Sequence, residues 1–369
     1  MSTRRVLVVM GTRPEVIKLA PVIVALQERD GLEVVTCATA QHRGLLDEMV
    51  SFFDLSVDVD LDLMKPDQDL FDLTARTLVS LRDTLDRIDP DLVLAQGDTT
   101  TVLATSVACH YRNTPFGHVE AGLRSGSRRE PFPEEMNRRV ASLLADWHYA
   151  PTERARQAML AENVPDDTIL VTGNTVVDAL AWARQQLGAA PARVVADESL
   201  SRFALLTTHR RESFGEPLRR TLTATRQVLD EHDDLQLVVP VHPNPHVEST
   251  VHELLADHPR IHLLPPQPYP ELLRLLRDAV LVLTDSGGIQ EEAPSLGTPV
   301  LVLRQHTERQ EGLDSGDALL VGTDPEAIVT GARRLLQQRR RDADGTNPYG
   351  DGRAAHRIAE HVARVLGTE

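Results

Sequence analysis

Short apolar runs alternate with longer helix-like segments along the chain, and this alternation restricts the fold more than any other feature. The run RRVLVVM is followed, after the three residues GTR, by PEVIKLAPVIVALQER, which has helical character. The further predicted strands are EVVTCAT, DLVLAQ, TPFGHV and WHYA in the first half, and FALLTT, LQLVVPV, RIHLL, AVLVLT and TPVLVL in the second. Apolar strands that alternate with helices are typical of parallel sheets covered on both faces. We therefore predict an α/β protein.

The length of the chain predicts two such domains. The chain has 369 residues, whereas single hydrophobic cores rarely grow beyond about 250–300 residues. The alternation loosens over residues 171–202, whose end is rich in Ala, Gly and Pro. We place an N-terminal Rossmann-like domain at 1–172 and a second Rossmann-like domain at 173–352. Apolar residues at helical spacing predict a C-terminal helix in 353–369.

Composition excludes several classes of partner. The net charge of −16 argues against a broad nucleic-acid surface. No run approaches the roughly 18 apolar residues of a membrane span, so we expect no membrane partner. Cys37 and Cys109 are the two cysteines, and each has apolar neighbours. Buried, reduced thiols of this kind favour a cytoplasmic location over a disulfide framework.

Polar residues that could react or bind an anion follow the predicted strands. These residues are Arg13, Asp98, Glu120, His209, His242, Asp285 and Ser286. In open parallel α/β sheets, ligands bind outside the carboxyl ends of the strands. Because both halves carry such residues, we expect two Rossmann-like domains that face each other across one cleft.

The stretch LTDSGGIQEEAPSLG predicts a strand, a Ser-Gly-Gly turn and a helix. Ser286 can cap this helix, while Gly287 and Gly288 expose backbone N–H groups. A helix N-terminus of this kind is a suitable site for a diphosphate, although a plain tight turn would have the same residues. Glu292 could accept hydrogen bonds from ribose hydroxyls or could be an exposed helix charge.

A second candidate anion site lies in GTRPEVIK, where Arg13 precedes Pro14 at the start of a predicted helix and Lys18 lies one turn further on the same side. These two residues could also be ordinary surface cations. The chain has no G-x-G-x-x-G after the first strand and no G-K-[ST] motif. This argues against a tightly bound dinucleotide and against a P-loop.

Histidines and carboxylates indicate proton transfer rather than metal binding. His209 could carry a proton for a leaving group, or it could be a satisfied structural histidine. Asp98 could cap a following helix as well as take part in chemistry. Two prolines in VHPNPH, and the lack of HExxH and C-x-x-C motifs, argue against a metal site. In residues 117–139, Glu120 and Glu134 could belong to a metal site, to a solvated charged face or to a pair of carboxylates that move protons.

Eleven motifs, in order, resemble those of the bacterial non-hydrolysing UDP-N-acetylglucosamine 2-epimerases. They are GTRPEVIKLAP, TAQHR, QGDTTT, HVEAGLRSG, PFPEEMNRR, GNTVVDAL, HRRESFG, VHPNP, LTDSGGIQEEAPSLGTPVLV, TER and NPYGDG. The resemblance implies a GT-B-like fold whose C-terminal helix returns to the first domain, and a homodimer. It also implies interconversion of UDP-GlcNAc and UDP-ManNAc, with a UDP-sugar as substrate and no cofactor or metal.

The resemblance also implies roles for individual residues. The catalytic residues would be Asp98, Glu120, Glu134 and His209. The substrate-binding residues would be Arg13, Lys18, Gln267, Ser286, Gly287, Gly288, Glu292 and Arg309. Positions linked to a second, allosteric UDP-GlcNAc in some members are Gln41, His42, Gln68, Arg210 and His242.

The chemistry of the sugar constrains the mechanism, but several outcomes stay open. The C2 proton of an N-acetylhexosamine is not acidic, so we expect UDP to leave first and to give 2-acetamidoglucal. Asp98, Glu120 and Glu134 are assigned to the proton transfers, without a division between the two faces of C2. The alternatives are a hydrolysing 2-epimerase, an epimerase of a UDP-diacetamido sugar, a GT-B glycosyltransferase and a non-catalytic nucleotide-sugar-binding regulator.

Overall fold

The computed structural model describes residues 3–39, 43–64, 68–188, 190–192, 200–210, 213–338 and 347–368. Contacts divide the chain into two compact units. Unit 1 comprises Met1–Ala181 and Tyr349–Glu369, and unit 2 comprises Trp182–Pro348. Both divisions differ from the positions 172 and 352 that we predicted. The first lies later because the buried carboxylate of Asp178 accepts hydrogen bonds from two backbone N–H groups at the start of the C-terminal helix.

Unit 1 contains a seven-stranded sheet in the order β3-β2-β1-β4-β5-β6-β7, and all its strand pairs are parallel. The strands are β1 (Arg4–Met10), β2 (Leu32–Ala38), β3 (Val59–Asp60), β4 (Leu92–Gln96), β5 (Phe116–Val119), β6 (Trp147–Ala150) and β7 (Ile169–Val171). The helices that begin in this unit are α1 (Arg13–Gln27), α2 (Arg43–Phe52), α3 (Leu70–Ile88), α4 (Thr100–Arg112), α5 (Glu134–Leu144), α6 (Glu153–Ala161), α7 (Thr175–Leu187) and α14 (Ala354–Leu366).

Unit 2 repeats this topology with six parallel strands in the order β10-β9-β8-β11-β12-β13. The strands are β8 (Phe203–Thr207), β9 (Gln236–Pro240), β10 (Ile261–Leu264), β11 (Leu281–Thr284), β12 (Val300–Val302) and β13 (Ala318–Leu320). The helices are α8 (Glu216–Asp230), α9 (Pro245–Leu255), α10 (Tyr269–Asp278), α11 (Gly287–Ser295), α12 (Gln310–Asp314) and α13 (Pro325–Gln337).

The apolar runs form the centres of both sheets, which confirms the predicted α/β class with two Rossmann-like units. Leu7 and Val93 are buried in unit 1, and Leu283 and Leu301 are buried in unit 2. The prediction missed β3, β7 and β13, which form edges of the sheets. Each of these strands has two or three residues, too few for a periodic hydrophobic pattern.

The C-terminal helix α14 packs in unit 1. It contacts α1, and the ring of His361 bonds to the hydroxyl of Tyr149 over 3.2 Å. Ile358 and Val362, two of the apolar residues that predicted this helix, are buried. Within the described ranges, no helix combines the length and the apolar character that crossing a bilayer requires. Both cysteines are buried, free thiols, and burial raises the pKa of each.

Candidate active site

The two switch points of the sheets carry the candidate residues. In unit 1, β1 lies between β2 and β4, so the chain leaves β1 towards one side and β4 towards the other. The loops after these strands carry Arg13 and Asp98. In unit 2, the equivalent neighbours β8 and β11 are followed by His209 and Asp285. Crevices at such switch points are where open α/β sheets bind ligands.

Glu15 joins the two switch-point loops of unit 1. One carboxylate oxygen accepts the backbone N–H of Gly11 at 3.0 Å, and the other accepts the hydroxyl of Thr99 at 2.7 Å. The side chain is 1% exposed. Burial raises the pKa of Glu15 to about 7, although hydrogen bonds from Thr12 and Thr99 oppose the shift. This carboxyl group therefore holds the loop before Arg13 against the loop that carries Asp98.

Glu120 lies directly after β5 in a strained backbone conformation. Its φ of 63° is left-handed, a conformation that costs a non-glycine residue roughly 1–2 kcal/mol. Lys18 Nζ lies 2.6 Å from Glu120 Oε2, and both side chains are 5% exposed. The amide of Gln96 donates to the same oxygen. This contact follows from strand register, because Gln96 on β4 pairs with Val119 on β5.

The structure places Lys18 and Arg13 differently. The expectation that both bind a diphosphate stays a prediction. Lys18 forms a buried ion pair with Glu120, so it stabilises a carboxylate that we assign to proton transfer. Arg13 is the first residue of α1 and is partly exposed at the switch point.

Asp98 accepts a hydrogen bond from the guanidinium of Arg138, whose side chain is buried. The amide of Asn137 donates to the Asp98 backbone carbonyl at 2.9 Å. Asp98 does not cap α4. That helix begins after Thr99, whose hydroxyl accepts the N–H of Val102. The aspartate side chain is therefore directed to Arg138.

Glu134 begins α5 and is half-buried, whereas the next residue, Glu135, is fully buried. Glu135 accepts hydrogen bonds from Arg138 at 3.1 Å and Arg139 at 3.0 Å, and from the backbone N–H of Ser125 at 3.1 Å. Glu135 thus orients the arginine that binds Asp98. The adjacent residues 128–130 are exposed, as expected of a solvated charged segment.

His209 and Asp285 form a dyad in unit 2. His209 Nδ1 lies 2.9 Å from Asp285 Oδ1. The same carboxylate accepts the backbone N–H groups of His209 and Arg210 at 3.1 Å. Burial raises the pKa of Asp285, but the hydrogen bonds from His209 and the backbone outweigh burial and bring the pKa below 3.8. The aspartate is therefore an ionised acceptor.

The N-terminus of α11 has the features of an anion site. Ser286 occupies the N-cap position, but its side chain makes no capping hydrogen bond. A Cβ added at Gly287 would lie 3.5 Å from Arg309 Cζ and 3.7 Å from Arg210 Nη2. A Cβ at Gly288 would meet no atom of the described residues within 4 Å. Two guanidinium groups and a helix dipole therefore favour negative charge at this point.

Carboxylates on and near α11 orient Arg309. Its Nε donates to Glu291 at 2.9 Å, and its Nη1 donates to Glu308. Glu292 is buried and accepts the hydroxyl of Tyr269 at 3.1 Å, so it is not an exposed helix charge. Gln267 donates to the carbonyl of Pro265 at 2.7 Å.

The candidate allosteric residues are only partly described. Gln41 and His42 lie outside the described residues. Gln68 belongs to unit 1 and accepts a hydrogen bond from Arg76. His242 belongs to unit 2, where its ring centroid lies 6.1 Å from that of His209. Desolvation lowers the pKa of His242, and the charge of His209 lowers it further.

Three residues that complete these sites were not named from the sequence: Glu15, Gln96 and Arg138. Asp285 was named as a polar residue at a strand end but was given no catalytic or binding role. Gln96 also stands at a strand end, a signal that could have identified it. Glu15 and Arg138 lie in helices, and nothing in the sequence indicates that their charged groups are buried. Across the part of the chain that the structure covers, no group of three or more His, Cys, Asp or Glu side chains could hold a metal ion.

Known proteins match the chain over nearly its whole length. The family described as UDP-N-acetylglucosamine 2-epimerase matches residues 24–363. The UDP-N-acetylglucosamine 2-epimerase of Yersinia pestis is 47% identical, over 96% of this chain and 97% of its own. That of Escherichia coli K12 is 46% identical, over 96% and 97%.

A solved structure also matches nearly the whole chain. The crystal structure of the Neisseria meningitidis UDP-GlcNAc 2-epimerase bound to UDP-GlcNAc has a TM-score of 0.88 and 38% identity, and the match covers 99% of this chain and 100% of that one. This likeness supports the predicted GT-B-like class. The chain therefore belongs to the UDP-N-acetylglucosamine 2-epimerase family.

Proposed function

We propose that this protein is a non-hydrolysing UDP-GlcNAc 2-epimerase, which interconverts UDP-GlcNAc and UDP-ManNAc. Family membership supports the substrate class. The observation that carries the proposal is the set of carboxylates at adjacent strand ends of unit 1. Asp98 follows β4, Glu120 follows β5, and each is bound to a buried cation, Arg138 or Lys18.

The reaction needs such groups because inversion at C2 requires removal and return of a proton. Cleavage of the C1–O bond transfers the electron pair to UDP and leaves positive character at C1, which makes the C2–H acidic. Loss of that proton to a carboxylate gives 2-acetamidoglucal. Protonation of C2 on the opposite face, with re-addition of UDP at C1, completes the inversion and restores all atoms. This route needs neither a nicotinamide nor a metal.

The carboxylates of unit 1 are suited to these proton transfers. The ammonium of Lys18 and the amide of Gln96 both stabilise the ionised form of Glu120, which is the form that can accept a proton. The guanidinium of Arg138 stabilises the ionised form of Asp98 in the same way. Glu134 begins a helix, where the dipole also favours a carboxylate. General acid–base groups contribute about 10²–10⁴-fold each to turnover.

The residues of unit 2 are suited to the diphosphate. The start of α11 offers backbone N–H groups, and the guanidinium groups of Arg309 and Arg210 lie beside Gly287. These groups would stabilise the charge that develops on UDP as the C1–O bond breaks. His209 would supply or accept a proton at the departing phosphate oxygen.

One experiment separates this function from its alternatives. The protein is incubated with UDP-GlcNAc in D₂O and followed by NMR. We expect deuterium at C2 together with UDP-ManNAc. Free ManNAc would instead identify a hydrolysing enzyme. Absence of exchange at C2 would refute both and would favour a glycosyltransferase or a binding protein.

We also propose that the protein is a homodimer that associates through the outer faces of α3, α4 and α5. The helix α4 packs between α3 and α5. Val79, Tyr111 and Leu143 are exposed apolar side chains on these helices, and a cavity of about 460 Å³ opens between α3 and α4. Light scattering should give twice the chain mass. Tyr111→Asp should give the monomer, whereas Leu320→Asp, at an exposed apolar position of unit 2, should not.

A further inference from the structure

The buried carboxylate of Asp285 contacts both the ring and the backbone of His209. Asp285 is 0% exposed and follows β11, whereas His209 is exposed and follows the neighbouring strand β8. Three groups converge on this carboxylate: the His209 ring nitrogen Nδ1 at 2.9 Å, the His209 backbone N–H at 3.1 Å, and the Arg210 backbone N–H at 3.1 Å. Both the backbone and the ring of the histidine are therefore held by one side chain.

We propose that Asp285 is a positioning residue that fixes the ring of His209, so that Nδ1 carries a proton and Nε2 exchanges a proton with the diphosphate oxygen that leaves C1. The inference rests on the proposed function for the role of Nε2. The orientation itself rests on geometry. One carbon separates the two ring nitrogens and their lone pairs or hydrogens point in different directions, so a ring that binds Asp285 through Nδ1 leaves Nε2 directed away from Asp285.

The charges around the dyad determine the tautomer. Burial raises the pKa of Asp285, and the His209 and backbone hydrogen bonds lower it below 3.8, so the carboxylate can only accept. A neutral His209 must then place its hydrogen on Nδ1 and keep the lone pair on Nε2. Among the described residues, the ring centroid of His242 lies 6.1 Å from that of His209, and the side chains of Arg210 and Arg309 lie at the start of α11.

In the forward reaction an Nε2 that carries a proton gives it to the phosphate oxygen as the C1–O bond breaks. The positive charge of the ring is stabilised by Asp285 until that proton leaves. In the reverse step Nε2 takes the proton back when the oxygen attacks C1. Asp285 itself stays ionised throughout, so it acts through His209 and does not touch the reacting atoms.

A competing explanation is that Asp285 only closes the loop after β8 by accepting two backbone N–H groups. A double-variant cycle separates the two roles, measured as kcat and KM for epimerisation. Asp285→Asn and His209→Gln should each lower kcat by about 10²-fold or more. In the His209→Gln background, Asp285→Asn should change kcat by less than about threefold, because the histidine through which it acts is gone. Equal effects in both backgrounds would overturn the proposal.

Asp178 provides a matched control. It is a buried aspartate that accepts two backbone N–H groups, those of Ala354 and Ala355, in unit 1. Asp178→Asn should change kcat by the same factor in the wild-type background and in the His209→Gln background. Circular dichroism of every variant identifies any protein that has not folded, and the tautomer measurement on the wild type does not depend on the variants' activity.

The closing experiment needs no activity. The full-length protein is labelled with ring-¹³C histidine, and the Cδ2 shift of His209, assigned by its loss in His209→Gln, is followed towards high pH until it no longer changes. We expect the Nδ1–H tautomer. An Nε2–H tautomer would overturn the inference whether or not the protein is an epimerase. The expected tautomer without C2 exchange would refute the proposed function alone.

Discussion

Replacing Lys18 by Met tests the central assignment in unit 1. The Lys18–Glu120 pair spans 2.6 Å, and each side chain is 5% exposed, so water can replace little of the lost ammonium. Glu120 would keep the amide of Gln96 but lose the ammonium of Lys18. We therefore expect Lys18→Met to reduce both stability and turnover, although Met has a similar length and apolar stem.

The magnitude follows from the burial of the pair. Removing one partner of a buried ion pair costs about 3–5 kcal/mol, because the other charge stays buried and uncompensated. One kcal/mol corresponds to about 2–4 °C in domains of this size, so the melting temperature should fall by roughly 6–20 °C. If Glu120 takes up a proton to avoid the unpaired charge, the base is lost and kcat should fall by about 10²–10⁴-fold.

The assay combines calorimetry with C2 exchange in D₂O. Arg4→Met is the matched control, because the Arg4–Asp91 pair spans 2.8 Å but its side chains are 45% and 29% exposed. An exposed pair contributes at most about 1 kcal/mol. The double variant Lys18→Met/Glu120→Gln should recover much of the lost stability and none of the turnover, because it removes both charges.

Two results would refute this reasoning. If Lys18→Met melts like Arg4→Met, the ion pair is not buried in solution. If the double variant is no more stable than Lys18→Met, the loss arises from packing around residue 18 and not from an uncompensated Glu120. Full turnover in Lys18→Met would show that Glu120 does not depend on the charge of Lys18 to act as a base.

Three further predictions address other parts of unit 1. Asp98→Asn should lower kcat by about 10²–10⁴-fold while UDP binding, measured by calorimetry, is kept. The folded-state pKa of Glu15 is raised from 4.5 to about 7, so its contribution to stability is complete below pH 4.5 and is lost as the pH rises through 7. The free energy of unfolding of Glu15→Gln, measured in urea, should therefore fall by about 3 kcal/mol less than that of the wild type as the pH rises. An unchanged pH dependence of this free energy would contradict the raised pKa. Gly122→Ala should destabilise strongly, because φ is 93° and the new Cβ would lie 2.4 Å from the Ala155 carbonyl oxygen. Gly126→Ala, at φ 83° with no described atom within 4 Å, should destabilise less in the same thermal melt.

The local pattern of the sequence was sufficient to predict the fold class and the position of several site residues along their strands. A strand ends where its apolar run ends, so residues such as Asp98 and Glu120 could be placed at carboxyl ends from neighbouring residues alone. The two- and three-residue edge strands could not be predicted, because backbone pairing with β2, β6 and β12 defines them and their own composition does not.

Only the tertiary structure decided which of these residues act together. Lys18 and Glu120 are 102 positions apart, and they meet because β1, β4 and β5 are consecutive in the sheet order, so that the segments after β1 and β5 lie at the same edge of the sheet. His209 and Asp285 are 76 positions apart and meet through the β8–β11 pairing. The sequence determined by itself that charged groups end the strands, since that is a local property. Their partners, their burial and hence their protonation depend on strand order and packing, which are non-local.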